Sequence, residues 1–241
     1  MNKRVDVGGV IRQTFQIYAD QALVLVSAAA VVFVISAVFS ALLVAAAPVL
    51  AILAFVVTII ASTLFTGMVV ELVADVQDGR RDSSVSQLLN AAVPVIGNLI
   101  LVGIVAGIGI VIGFILIIIP GLILLTIWSV AAPVVVLERP GGLRALGRSR
   151  ELVRGEGWSV FAVILLMVIL VGLVSALIDG LASAGGTGVE LLVRVVVGIL
   201  TAPISALAAA VLYFQLRGPA GGGPTPVPVE PSDLAEPTGA P

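Results

Sequence analysis

The sequence predicts an all-α polytopic membrane protein: a bundle of six transmembrane helices arranged as three hairpins, each preceded by an amphipathic interfacial helix. Three observations carry that expectation. The mean hydropathy is +1.24, with 60% hydrophobic and 11% charged residues, more apolar surface than one soluble core can bury. The apolar residues come in long runs rather than alternating faces, and no charged residue lies between Ser83 and Leu137. The basic residues gather in the gaps, five of the twelve lying between Arg139 and Arg154.

The elements follow in order. Val10, Ile11, Thr14, Phe15, Ile17 and Tyr18 form one face of a helix and Arg12, Gln13, Gln16 and Asp20 the other. Spans one and two are then expected at ~22–47 and ~49–73. A cleaved signal peptide is the alternative for the first run, but that run exceeds the roughly 7–15 residues of a signal-peptide core, so it is expected to remain as a transmembrane helix. A second amphipathic helix sets Val85, Leu88, Leu89 and Ala92 against Ser86, Gln87 and Asn90, and Ser84 with Gln87 fits a capping box at its start.

The run from Asn98 to Leu137 would make a helix of about 60 Å, roughly twice the hydrocarbon thickness. It must fold back once. Proline lacks a backbone donor and glycine tolerates a turn, so the reversal is expected at Pro120-Gly121, between spans at ~97–119 and ~122–138. A third amphipathic helix follows, with Ala145, Leu146, Ser149, Leu152 and Val153 on one arc and Arg144, Arg148, Arg150, Glu151 and Arg154 on the other. Spans five and six are expected at ~158–178 and ~190–214, which makes residues 1–217 a six-span membrane domain. Residues 218–241, rich in Pro and Gly without a hydrophobic period, read as a disordered tail.

In this map eleven of the twelve basic residues lie on one side of the membrane, and the three opposite connections carry none. Positive loops stay inside, so the expected location is the cell membrane with both termini cytoplasmic. Arg194 is the exception and is read as an interfacial pair with Glu190, one helical turn earlier.

Small residues suggest close packing in span three, through Gly103 with Gly107 and Gly109 with Gly113, and in span six, where Gly198, Ala202, Ala206 and Ala210 recur every fourth residue. Pro133 and Pro203 are expected to kink spans four and six.

Several function classes are disfavoured. Without histidine or cysteine the chain cannot build a Ser-His-Asp triad, a zinc-hydrolase centre or a cysteine nucleophile. There is no P-loop, and Gly107-Ile108-Gly109 is followed by apolar residues that cradle nothing. No acid or base falls near the centre of a span, which disfavours a charge-coupled transporter. Glu71, Asp75, Asp78 and Asp82 share a stripe, read as a solvated helix end rather than a cation site. The expectation is therefore a non-catalytic protein with no cofactor, no metal and no nucleic-acid partner.

The arginines of the third amphipathic helix are the candidate site. Arg144 with Arg148, and Arg150 with Arg154, are like-charge pairs one turn apart. Anionic lipid headgroups would offset their repulsion, at about 1 kcal/mol per basic residue near such a surface. A protein partner is the other candidate, through the 139–157 loop or the tail, where Pro224, Pro226 and Pro228 give short polyproline character. A membrane scaffold or adaptor is the leading expectation. A permease for an uncharged or amphipathic substrate is the alternative.

The segment from Ile117 to Phe161 resembles the signature region of the glycerophosphoryl diester phosphodiesterase membrane domain-like family. Pro120, Gly121, Trp128, Pro133, Glu138, Arg139, Arg148, Ser149 and Trp158 carry the resemblance, which covers about a fifth of the chain. It implies a six-span membrane unit. The phosphodiesterase half of the family name depends on histidines and acidic metal ligands in a separate domain, so the resemblance implies no activity here.

Overall fold

The computed structural model describes residues 5–79, 84–182 and 187–218. Lys3, Arg4, Arg80, Arg81, Asp82, the 219–241 tail and the side chains of Asp179, Glu190 and Arg194 lie outside what is described. The chain is an all-α polytopic bundle. Among the described residues it has no strand and six helical segments long and apolar enough to cross a membrane.

The three short helices and three hairpins appear in the expected order. Helix α1 (Val7–Asp20) precedes α2 (Ala22–Ala46) and α3 (Ala51–Gln77), which are joined through a 3-10 turn at Pro48–Leu50. Helix α4 (Val85–Ala92) precedes α5 (Ile96–Leu116) and a returning span made of α6 (Ile118–Ile127) and α7 (Ala131–Leu137). Helix α8 (Arg144–Val153) precedes α9 (Gly157–Ala182) and α10 (Thr187–Arg217). At the start of α4 the capping box forms in both directions, since Ser84 Oγ accepts from the Gln87 amide and the Gln87 side chain accepts from the Ser84 amide.

The reversal between spans three and four is not at Pro120-Gly121. It falls at Ile117, whose backbone is extended (φ −161°, ψ 144°). Pro120 sits instead in the first turn of α6, where its missing N–H costs no helical hydrogen bond. Gly121 is needed for close approach, because a Cβ there would lie 2.6 Å from the Phe114 ring. The expected small-residue packing divides in the same way. A Cβ on Gly113 would meet the Gly121 backbone at 2.9 Å and one on Gly109 the Trp128 ring at 2.6 Å, whereas nothing lies within 4 Å of Gly103 or Gly107. The second spacing binds the hairpin together, and the first faces away from it.

Pro133 does more than kink span four. The span breaks at Trp128–Val130, next to Ser129, whose carbonyl a helix would have paired with the missing N–H of Pro133. Pro203 is different: α10 runs through it.

The hairpins pack cyclically. Helix α5 packs on α3, α9 on α6, and α2 on α10, so each leading helix rests on the preceding hairpin and the first hairpin rests on the last. The short helices follow the same rule, with α4 on α3, α8 on α7, and α1 on α10 and α9. The returning helices α3, α7 and α10 touch one another at the centre. Phe65, Met68 and Leu72 of α3 pack there with Val134 and Val135 of α7 and Leu207 and Val211 of α10.

This arrangement corrects one expectation. The apolar arcs of the short helices were assigned to the membrane surface, but Val10, Thr14 and Ile17 of α1, Leu88 and Ala92 of α4, and Ala145, Leu146, Ser149 and Val153 of α8 are buried within the protein. An apolar stripe records that a helix needs an apolar partner, without specifying lipid or protein.

Candidate functional site

The site is built around the end of α7 and the helix that follows it. The chain leaves α7 through Glu138 and then Arg139, which holds a left-handed φ of +48°. That conformation costs a non-glycine residue about 1 kcal/mol. Two contacts offset it: Arg139 Nε donates to the Val136 carbonyl at 3.3 Å, and its guanidinium lies 3.7 Å from Glu71 of α3. Gly141, at φ +82°, completes the turn into α8.

Glu138 is the hub. Its Oε2 accepts from Arg148 Nε at 2.9 Å, and its Oε1 accepts from the Tyr213 hydroxyl at 3.0 Å. Tyr213 is fully buried in α10, and Arg217 Nη1 donates to its oxygen at 3.5 Å. Arg148 also reaches Glu151 at 3.3 Å. The hydrogen bond to Glu138, opposed in part by desolvation, raises the pKa of the Arg148 guanidinium further above its ordinary value.

The docking of α8 uses the break in span four. Ala131 donates to the Trp128 carbonyl at 3.1 Å rather than to Ile127, as an unbroken helix would require. The fully buried Ser149 donates its hydroxyl to the Ile127 carbonyl at 2.8 Å. A serine in α8 thus satisfies an acceptor freed by the break in span four. The following turn is tied to the start of the chain, since Glu156 Oε2 accepts from the Val5 amide and the Ser159 hydroxyl, each at 3.1 Å.

These contacts sort the four candidate arginines. Arg148 is turned inward to Glu138 and Glu151. Arg144, Arg150 and Arg154 are exposed, and among the described residues no acid lies within ion-pair distance of them. Trp158, 85% exposed, stands beside them in the first turn of α9 and meets Phe161 edge to face. Of the other residues carrying the family resemblance, Pro120, Gly121, Trp128 and Pro133 shape span four, while Glu138, Arg139 and Ser149 lock it to α3, α8 and α10. Sequence reading missed Tyr213 altogether. Its local signal is a tyrosine one turn before Arg217, at the end of the apolar run from Ala206 to Leu212.

Elsewhere in the bundle, two cavities of about 430 and 290 Å³ meet at Ser205. The first is lined by hydroxyls of Ser36, Thr58 and Thr201; the second includes Ser129, whose buried Oγ has no hydrogen-bond partner among the described residues. Glu71, Asp75 and Asp78 lie along the end of α3, and among the described residues no group of three such side chains is placed to hold a metal ion.

The fold and this site define a multi-pass helical membrane protein whose third short helix is locked onto the bundle and presents three arginines. The chain belongs to the family described as domain of unknown function (DUF8558), whose model matches residues 10–216. Neither a curated protein nor a solved structure matches it.

Proposed function

We propose that this chain is a non-catalytic membrane scaffold or adaptor of the cell membrane, contacting anionic lipid headgroups on the cytoplasmic leaflet through Arg144, Arg150 and Arg154. One observation carries the reading: α8 buries its apolar face and pairs Arg148 internally, yet leaves three arginines turned outward without acidic partners among the described residues. Such a surface favours phosphate oxygens, which the planar guanidinium fork matches well. The positive-inside rule supports a cytoplasmic position for this helix and both termini. The absence of histidine and cysteine from the sequence supports a role without catalysis. Kinship with the glycerophosphoryl diester phosphodiesterase membrane domain-like family belongs to the same proposal and supports a membrane unit alone. A protein partner would engage the 139–157 loop or the tail.

The test is lipid selectivity. Purified protein is equilibrated in mixed micelles of phosphatidylglycerol and phosphatidylcholine, and the retained lipids are quantified by mass spectrometry at low and high salt. Enrichment of phosphatidylglycerol that falls with salt, and disappears in Arg144→Gln/Arg150→Gln/Arg154→Gln, is expected. Equal retention of the two lipids by the parent protein would refute the contact.

The two largely apolar spaces that meet at Ser205, each with a few hydroxyls in its lining, favour a second reading, a permease for an uncharged or amphipathic substrate. Flux of such a solute into proteoliposomes, abolished by Ser205→Trp, would establish it over the scaffold.

A further inference from the structure

The three outward arginines are not equivalent. Arg150 and Arg154, but not Arg144, line a crevice of about 630 Å³ at the end of α8. Its wall includes Ile127, Gly155 and Gly157, and these same three residues form the rim of a second crevice of about 760 Å³. The two spaces adjoin at these residues, the first with a charged and the second with an apolar lining. The second space is an open groove that runs along α6 past Leu122 and Ile123 and is flanked on the other side by Trp158 and Phe161 near the start of α9.

The shape follows from the local backbone. Gly155 turns the chain from α8 to α9 at φ +95°, a left-handed conformation that disfavours a side chain, and Gly157 opens α9 without one. Neither glycine places a side chain between the two spaces. On α6 the lining from Ile119 to Ile127 covers about 12 Å of helix, length enough to seat part of an acyl chain. Glu151 also lines the charged space, but its carboxylate is held by Arg148 at 3.3 Å. That space thus keeps two uncommitted positive charges.

We propose that this composite crevice is a binding site for a single anionic phospholipid, with the phosphate held between Arg150 and Arg154 and one acyl chain lying between α6 and the first turn of α9. The inference rests on the headgroup contact proposed above and adds to it a defined position, a stoichiometry of one and a requirement for the acyl chain. Charge complementarity selects an anionic head, and the apolar lining of the second space selects a lipid over a soluble phosphate ester. Trp158, at the junction, has the amphipathic ring that favours the headgroup level.

The experiment counts bound lipids by native mass spectrometry on full-length protein released from phosphatidylglycerol/phosphatidylcholine nanodiscs. The parent should retain one phosphatidylglycerol, which added glycerophosphoglycerol, the same headgroup without chains, does not displace. Arg150→Gln/Arg154→Gln should lower retention about thirtyfold, the effect expected of two basic groups near an anionic head. Ile123→Trp, a half-exposed position on the apolar wall, should fill the chain site and lower retention by a similar factor with both arginines intact. If Ile123→Trp retains lipid like the parent while the arginine variant loses it, the crevice is refuted and the surface contact stands. Unchanged retention in both refutes both, and displacement by glycerophosphoglycerol refutes the acyl-chain requirement. Should Ile123→Trp fail to insert, phosphatidylglycerol carrying a diazirine in one acyl chain tests the parent directly. Cross-links must then fall within 119–127 or 157–161, and labelling confined to other helices overturns the site.

Discussion

The two ends of the bundle are held together differently. At the end that carries the basic loops, Glu138 joins α8 to α10, Glu71 joins α3 to the turn after α7, Ser149 joins α8 to span four, and Glu156 joins the start of the chain to α9. The large buried side chains lie beside these contacts. At the opposite end Val38, Phe39 and Leu42 of α2, Ile52 and Phe55 of α3, and Leu173 and Leu177 of α9 are exposed. There α2 and α3 share a hydrogen bond from Ser40 Oγ to the Ala54 carbonyl at 3.3 Å, and α5 and α6 touch through Gly113 and Gly121. Lipid tails solvate apolar side chains about as well as another helix does, so exposure at that end carries little cost. Fixed geometry in such a chain requires polar contacts or close backbone approach; the polar contacts are concentrated where the candidate site lies, and the close approach of Gly113 to Gly121 holds the other end of α5 and α6.

The sharpest way to break this contrast is Glu138→Ala. It removes the acceptor of the fully buried Tyr213 hydroxyl and the main partner of Arg148. An unsatisfied buried hydroxyl costs about 1–3 kcal/mol. Arg148 is 40% exposed and rehydrates, so it adds little. Denaturation in micelles should show a loss of about 2–3 kcal/mol, with Glu138→Gln restoring part of it because the amide oxygen still accepts. A smaller effect tests the opposite end. Gly113→Ala forces a Cβ to within 2.9 Å of the Gly121 backbone, which cannot rotate away, and should cost about 1–3 kcal/mol in the same assay. Gly107→Ala, with nothing within 4 Å, should be neutral or stabilise by up to about 1 kcal/mol through helix propensity. Equal losses for the two glycine variants would mean that the Gly103/Gly107 face is packed after all.

Much of the fold was legible because it is local. Run length gave the six spans, heptad-like spacing gave α1, α4 and α8, and the Ser84–Gln87 pair marked a helix start. The turn at Ile117 was misplaced because Pro and Gly look alike as turn signals and as residues for a first helical turn and a close contact. The destination of each apolar arc was not legible, since amphipathicity records the need for a partner and not its identity. At the site, the arginines were visible as a cluster. Their division into one paired and three outward residues depends on Glu138, and the second ligand of Glu138, Tyr213, comes from 75 residues away. No spacing rule reaches that far.

The central claim is that α8 is locked onto span four by its buried face, so that its free arginines are presented in a fixed position. The chain has no cysteine, which makes cross-linking a direct measurement. Ser149 Oγ lies 2.8 Å from the Ile127 carbonyl, so Ile127→Cys/Ser149→Cys in native membranes should be joined almost completely by a disulfide under mild oxidation. The control Ile127→Cys/Leu143→Cys, with an exposed residue ahead of the helix, should not be joined. If α8 instead lies on the lipid surface with Leu146 and Val153 in the bilayer, the first pair will be joined no more than the control, and that result would contradict the account.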